Sequence, residues 1–434
     1  MTRELVTLLA GRRVGVVQRA AHERLRFTYY EDWRGDPQAV PLSLSMPLAA
    51  REHGPDRVEP FLWNLLPDNE AILQAWGKRF RVSPRNVFGL LSHVGADCAG
   101  AVQLVSPERV EAMAGDAPPQ VQWLDDAEVA ARLRELRRDR AAWRRLGDTG
   151  QFSLAGAQPK TALLYDGRRW GIPSGRTPTT HILKPPMAGV EGHAENEHLC
   201  LNLARAIGLP AARSWVARFE DEVAIVIARY DRVRISESDV SAIVRVHQED
   251  MCQALGLGPG SKYQNEGGPS PADIVALLRD HSTEPGDDIG TFVDALAFNW
   301  LVGGTDAHAK NYSMLHASGS RARLAPLYDI ASALPYPDLQ VQKLKLAMKI
   351  GGRYRLRDVG PRQWEALAEE LGLGPRTMLD RVADLGERMA NEVGPVCDEA
   401  RDAGLTDPLV PRLHAALEAR ARSCVERIEA YEGP

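Results

Sequence analysis

Apolar and polar residues alternate through residues 11 to 33, as in Arg13-Val14-Gly15-Val16-Val17 and Leu25-Arg26-Phe27-Thr28-Tyr29-Tyr30. A period of two is that of half-buried antiparallel strands. It continues in Pro41-Leu42-Ser43-Leu44-Ser45-Met46-Pro47-Leu48 and predicts a further strand there. Helical spacing takes over at residues 69 to 79, behind Pro67-Asp68, and at residues 86 to 93, where Ser83-Pro84 leads in. Residues 1–107 therefore read as an N-terminal α/β subdomain.

Pro107, Gly115, Pro118 and Pro119 mark a linker from residue 106 to 122, and a charged helix is expected over residues 125 to 146, so that residues 108–148 form linker and helix. Strand-like pieces at residues 161 to 165 and 181 to 184 lie between glycine-rich turns. A helical pattern after Gly192 and a β-branched run from Val223 to Tyr230 complete a region spanning 149–255. Beyond Pro271 helical periods dominate, ending in an amphipathic helix at 407 to 431 that suits packing, which assigns residues 256–434 to a helical C-terminal lobe. Strands first and helices later make the fold class α+β rather than doubly wound.

The chain's 434 residues carry a net charge of -5 with a pI near 6.2, against the basic excess of a dedicated nucleic-acid binder. Any DNA contact would be local or through a partner. The cysteines Cys98, Cys200, Cys252, Cys397 and Cys424 form no C-x-x-C pair and read as buried thiols in a reducing cytosol. No stretch approaches the ~20 apolar residues of a membrane span, so a cytoplasmic protein without a membrane partner is expected.

Phosphoryl transfer from ATP needs a flexible backbone over the phosphates, a lysine on them, an aspartate near the attacking hydroxyl and oxygen ligands for magnesium. Each has a candidate here, in order. The small residues of Ser153-Leu154-Ala155-Gly156-Ala157-Gln158-Pro159-Lys160 allow close approach of backbone N–H groups to phosphate, although the Walker A spacing is absent and a hairpin turn is the plainer reading. Lys184 ends the apolar strand His181-Ile182-Leu183, and Glu197 on the following helix is its natural counter-ion. A lysine snorkelling from a strand end is the structural alternative.

The sharpest signal is Thr305-Asp306-Ala307-His308-Ala309-Lys310-Asn311, because D-x-x-x-x-N is the spacing of a kinase catalytic loop. It follows an apolar helix ending in Gly303-Gly304, with Gly304-Thr305 where His-Arg is usual, which disfavours an ordinary eukaryotic-type kinase. Alternation would point His308 and Lys310 to one side, toward phosphates. Zinc on Asp306 and His308 is a rival without further ligands at suitable spacing. Asp329, in Leu324-Ala325-Pro326-Leu327-Tyr328-Asp329-Ile330, falls where a DFG aspartate would bind metal together with Asn311.

The motifs S-x-A-G-A-Q-x-K-T-A-L-L, T-P-T-T-H-I-x-K, Q-E-D-M-C-Q, T-D-x-H-A-K-N and L-x-P-x-Y-D-I, in this order, resemble the HipA toxin kinases of bacteria. LSLSMPL at 42 to 48, NLLPD at 64 to 68 and residues 98 to 105 resemble that family's N-terminal subdomain, so the likeness spans essentially the whole chain. The resemblance implies a protein-kinase-like core of the lipid-kinase branch and an ATP/Mg2+-dependent serine/threonine kinase. Its implied partners are a HipB-like helix-turn-helix antitoxin, operator DNA reached through that antitoxin, and a translation enzyme as substrate, typically an aminoacyl-tRNA synthetase. It makes Asp306 catalytic, Asn311 and Asp329 the magnesium ligands, Lys184 the phosphate lysine and Ala155 to Lys160 the phosphate loop.

The same resemblance places His308, Ala309, Lys310, Asn311 and Tyr328 around the nucleotide and makes Ile227-Ala228-Arg229-Tyr230 a hinge reading adenine through its backbone, with Ala228 where an acidic residue is expected. It also makes Ser153 a site of inhibitory autophosphorylation, where a phosphate of about -1.5 to -2 charge would eject the loop. The helix after Pro361 reads Trp364-Glu365-Ala366-Leu367-Ala368-Glu369-Glu370, whose acids repel DNA, so DNA binding falls to the antitoxin. A small-molecule or lipid phosphotransferase and a catalytically idle co-repressor subunit remain open alternatives.

Overall fold

A computed structural model describes residues 3–19, 24–114, 119–143, 152–187, 189–236, 239 and 242–433. The chain forms two compact units that interleave along the sequence: residues 1–185, 217–259 and 313–322 in one, and 186–216, 260–312 and 323–434 in the other. The fold is α+β.

In the first unit, alternation at residues 4–29 yields the antiparallel strands Glu4–Leu9, Arg12–Arg19 and Leu25–Tyr29, flanked by Val102–Val105 and Glu52–His53. One face of this sheet buries Val6, Leu8 and Val105 against Met113 and Val110. Helices Glu70–Phe80 and Val87–Val94 begin where Asn69 and Asn86 accept the N–H groups of Ala71 and Gly89, caps worth about 1 kcal/mol each. A second sheet places Glu222–Ala228, His181–Lys184, Thr161–Tyr165, Trp170–Ser174 and Gln120–Leu124 side by side in that order. This sheet carries the phosphate-loop candidate at its Thr161 end and Lys184 at the end of its neighbour.

The second unit is mainly helical, with His193–Ala206, Pro271–His281, Pro285–Val302, Pro361–Leu371, Pro375–Asp402 and Leu409–Glu429. Its core includes Trp300 and Trp364, edge to face at 5.6 Å, with the Arg420 guanidinium 5.4 Å over the Trp300 ring and donating to its carbonyl at 2.9 Å. All five cysteines are buried free thiols, as their spacing implied.

Four expectations change. Residues 42–48 form no strand beyond an isolated Ser43–Met46 bridge, because side chains take their backbone groups: Tyr29 Oη accepts the Leu42 N–H and donates to the Met46 carbonyl, both at 2.7 Å, and Glu249 accepts the Leu44 N–H at 2.8 Å. The linker at 106–122 holds a 3-10 turn Pro107–Arg109, the helix Val110–Ala114 and the start of strand Gln120–Leu124, while 115–118 lie outside the described residues. The helix expected to residue 146 is Asp126–Arg138; Asp139 turns extended and its carboxylate takes the Ala141 N–H at 2.9 Å, a local bond that competes with the helix, and 144–151 lie outside the described residues. Beyond Pro271 the strands Ser313–Ala317, Arg321–Leu324, Lys345–Ile350 and Arg353–Arg355 interrupt the helices, reversing at Gly319 and at Gly351–Gly352, all with positive φ.

Candidate active site

The candidate residues fall into two sets, one in each unit. The first unit holds Ser153, residues 155–160, Lys184 and residues 228–230; the second holds Glu197, Asp306, residues 308–311, Tyr328 and Asp329.

The phosphate-loop segment is anchored at both ends. Ser153 is fully buried, its N–H on the Asp97 carbonyl at 3.0 Å and its Oγ donating to the Leu65 carbonyl at 2.6 Å. Gly156 takes φ 103°, bridges Pro67 and accepts the Asp68 N–H at 3.2 Å, so the Asn64-Leu65-Leu66-Pro67-Asp68 motif is the bed on which this loop lies. Lys160 Nζ donates to the Ala155 carbonyl at 2.6 Å and lies 5.3 Å over the Trp143 ring, and the φ of 103° at Gly156, which L side chains rarely adopt, favours glycine there. Ala157 at the exposed tip keeps an N–H without a hydrogen bond among the described residues, a donor suited to a phosphate oxygen.

Lys184 is buried at its strand's end, opposite Ile225, rather than snorkelling to solvent. Ala228 pairs with His181. Arg229 is committed to the protein: its N–H donates to the Thr180 carbonyl at 2.9 Å and its guanidinium to Asp231 at 2.8 Å, the Thr179 hydroxyl at 2.9 Å and the Cys98 carbonyl at 2.8 Å. Its backbone donor is thus unavailable to adenine. Asp97 completes this buried network, accepting from Thr179 Oγ1 at 2.7 Å, Arg232 at 3.0 Å and Arg245 Nε at 3.1 Å. Burial alone would raise the Asp97 carboxyl, but the charges of Arg232, Arg245 and Arg229 outweigh it and hold the group well below the usual carboxylate range. Breaking such a pair leaves a buried charge uncompensated, at a cost of about 3–5 kcal/mol.

In the second unit the helix Pro285–Val302 stops at Gly303, φ 66°, and Gly304 returns its N–H to the Asn299 carbonyl at 2.7 Å; a Cβ at Gly304 would meet Asn299 Oδ1 at 2.3 Å. The glycine pair thereby releases the chain into the loop carrying Asp306, which is exposed. A single 3-10 turn, Ala309–Asn311, then closes the loop. The Asn311 side-chain nitrogen donates to the Asp306 carbonyl at 2.8 Å. Because a carbonyl can only accept, the amide oxygen is the end left for a cation, which fits a magnesium ligand. His308 and Lys310 stand in a turn and not a strand, so alternation does not place them on one side; both are buried.

Tyr328 donates its hydroxyl to the Lys310 carbonyl at 2.7 Å, tying the Asp329 segment to the loop that carries Asp306. Asp329 holds φ 58°, a left-handed conformation uncommon for a side chain with a Cβ and concentrated at functional sites. Glu197 is buried on the helix His193–Ala206.

Sequence reasoning missed Tyr263. Its hydroxyl donates to the Asp306 carboxylate, and its ring meets His308 edge to face at 4.9 Å, while the neighbouring Lys262 carbonyl accepts the Ala309 N–H at 3.1 Å. The only signal was a tyrosine in the polar run Lys262-Tyr263-Gln264-Asn265-Glu266 before Gly267-Gly268, at no fixed spacing from Asp306.

Residues 152–393 match the family model of the HipA-like C-terminal domain, and residues 5–105 that of the HipA N-terminal domain, which together define the class of protein. The Sinorhizobium fredii protein named "Putative kinase Y4mE" is 37% identical over 419 residues, covering 95% of this chain and 96% of that one. The serine/threonine-protein kinase toxin HipA of Shewanella oneidensis is 28% identical over 386 residues, 85% of this chain and 83% of that protein. Among solved structures, the Shewanella oneidensis complex of HipA, HipB and operator DNA matches with a TM-score of 0.82 and 26% identity over 98% of both chains. The chain belongs to the HipA-like family of serine/threonine kinase toxins.

Proposed function

We propose that this protein is an ATP- and magnesium-dependent serine/threonine kinase whose acceptor is a protein of translation, an aminoacyl-tRNA synthetase being the expected class. The observation that carries the reading is the bond from the Asn311 amide to the Asp306 carbonyl. It ties the Asn311 side chain to the Asp306 backbone and leaves the amide oxygen for a cation, which supports reading the two residues as the aspartate and the metal ligand of phosphoryl transfer to a hydroxyl.

In this reading Asp306 accepts the proton of the attacking hydroxyl, a contribution of roughly 10²–10⁴-fold. Asn311 and Asp329 would hold magnesium, whose charge offsets that on the transferring phosphoryl group. Lys184 contacts phosphate oxygens and the Ala155–Lys160 loop covers them. Phosphorylation at Ser153 by the protein itself ends activity. A HipB-like helix-turn-helix antitoxin neutralises the toxin and carries it to operator DNA, as the relative's HipA–HipB–DNA assembly suggests by analogy.

The test is labelled ATP with the purified chain, offered total cell protein and extracted lipid in parallel. Label in a protein band of synthetase size, abolished by Asp306→Asn, is expected. Label in lipid alone would replace the reading with a lipid phosphotransferase, and no label with retained antitoxin binding would leave a co-repressor subunit.

A further inference from the structure

The hairpin of strands Lys345–Ile350 and Arg353–Arg355 in the second unit concentrates positive charge on its exposed side. Leu346, Ala347, Met348 and Ile350 are buried. The turn is fixed by Gly351, φ 50°, where a Cβ would strike the Gln363 carbonyl at 2.2 Å. From residue 343 to 358 the chain has Lys343, Lys345, Lys349, Arg353, Arg355 and Arg357 against Asp358 alone. Arg357 is opposed by Asp358 at 3.4 Å. The side chains of Lys343, Lys345, Arg353 and Arg355 are exposed and make no ion pair or hydrogen bond among the described residues.

Lys345 and Arg355 stand directly opposite each other in the ladder. Like charges facing across strands destabilise a hairpin. Elsewhere surface arginines such as Arg134, Arg388 and Arg422 have carboxylate partners. An arrangement that costs stability and is left unneutralised is accounted for by an external anion.

Position says what that anion belongs to. Gln264 accepts the Lys349 N–H at 2.6 Å, and its neighbour Tyr263 donates to Asp306, so the hairpin is tied through two adjacent residues to the candidate catalytic carboxylate. Leu339 and Val341, 44% and 40% exposed, precede the basic row. A phosphodiester backbone would use the cations alone. An acidic protein surface uses cations and apolar groups together.

We propose that the 345–355 hairpin, with Lys343, Leu339 and Val341, docks an acidic face of the protein substrate next to its phosphoacceptor hydroxyl. The proposal rests on the kinase reading above and names the substrate's chemistry.

The full-length protein would be given Mg-ATP and serine peptides flanked by glutamates, glutamines or lysines, with transfer and fluorescence anisotropy measured separately. Glutamate-flanked peptides should bind best and show the lowest KM. In Lys345→Glu/Arg355→Glu both advantages should fall by about tenfold with kcat within about twofold, and the preference should shrink as salt rises. The milder Lys345→Gln/Arg355→Gln, checked by thermal melting, guards against misfolding. Equal affinity for all three peptides, or a preference unchanged by charge reversal, overturns the docking surface even where transfer occurs. Acid-selective binding without transfer to any acceptor keeps the surface and sinks the kinase reading. Salt-dependent binding of a labelled DNA duplex through the same cations, without peptide preference, overturns the proposal in favour of nucleic acid.

Discussion

The hydroxyl of Tyr263 donates to the carboxylate of Asp306, and that contact joins a polar loop to the candidate catalytic loop 43 residues later. Asp306 is exposed, so without Tyr263 its rotamer would be set by water alone. Tyr263→Phe removes the donor and keeps the ring against His308. Transfer to protein should fall by about tenfold through kcat, while unfolding free energy changes by less than about 1 kcal/mol, as for other exposed hydrogen bonds. Unchanged kcat in steady-state assays would show that Asp306 needs no such partner.

Asp329 sits at φ 58°. For a residue with a Cβ this conformation costs about 1 kcal/mol, which glycine avoids. Asp329→Gly should abolish magnesium-dependent transfer, by at least about 100-fold. Asp329→Ala should lose activity equally and melt lower than the glycine variant. The reverse order of the two melts would mean that position 329 does not keep its left-handed conformation once the carboxylate is gone.

How much of this was legible beforehand depended on whether the determinant was local. The Asp306–Asn311 spacing and the Gly303–Gly304 stop are written in a few consecutive residues, and local bonds realise them, whereas the caps fall on Asn69 and Asn86 rather than on Pro67-Asp68 and Ser83-Pro84. Residues 42–48 misled because alternation alone cannot show that Glu249, two hundred residues away, takes the backbone groups a strand would pair. Tyr263 and Asp97 were invisible for the same reason, since each acts through partners brought in by the fold. The hinge illustrates a third case: Ile227-Ala228-Arg229-Tyr230 looks open in sequence, yet Arg229 is consumed by Asp231 and Thr180. The interleaving of the two units likewise has no signature in composition read from one end to the other.

Acid stability should depend on buried histidines, three of which are shifted strongly. Burial pushes His181, His198 and His247 down to about 4, with Arg234 adding to the effect on His181 and His316 on His247. Their folded values lie below the unfolded value of about 6.5, so the fold favours the neutral ring. Stability is then full above pH 6.5 and is lost as pH falls toward 4, because the unfolded chain binds the extra protons. Near pH 5 about three protons should be taken up on unfolding, a slope of at most about 4 kcal/mol per pH unit. Urea titrations from pH 7.5 to 4.5 would measure it, and His198→Gln should flatten the slope by about a third. Stability level between pH 7 and 5 would show that these rings are solvated.

Ser153 yields the most direct test of self-regulation. Its Oγ lies 2.6 Å from the Leu65 carbonyl and its N–H on the Asp97 carbonyl, with no exposed surface. A phosphate there would set about -1.5 to -2 charge against a carbonyl oxygen in a buried position, so the modified segment should leave its bed on residues 64–68. Ser153→Ala forfeits one buried hydrogen bond, about 1–2 kcal/mol, and should keep ATP binding while losing self-labelling. Ser153→Asp sets a carboxylate against the same carbonyl and should lose ATP binding, with new protease cleavage near residues 152–160. If Ser153→Asp bound ATP as the parent does and resisted protease there, the anchored serine would be a structural residue and regulation would have to act elsewhere. The two substitutions separate these readings because both remove the hydroxyl and only one adds the charge that the buried position cannot hold.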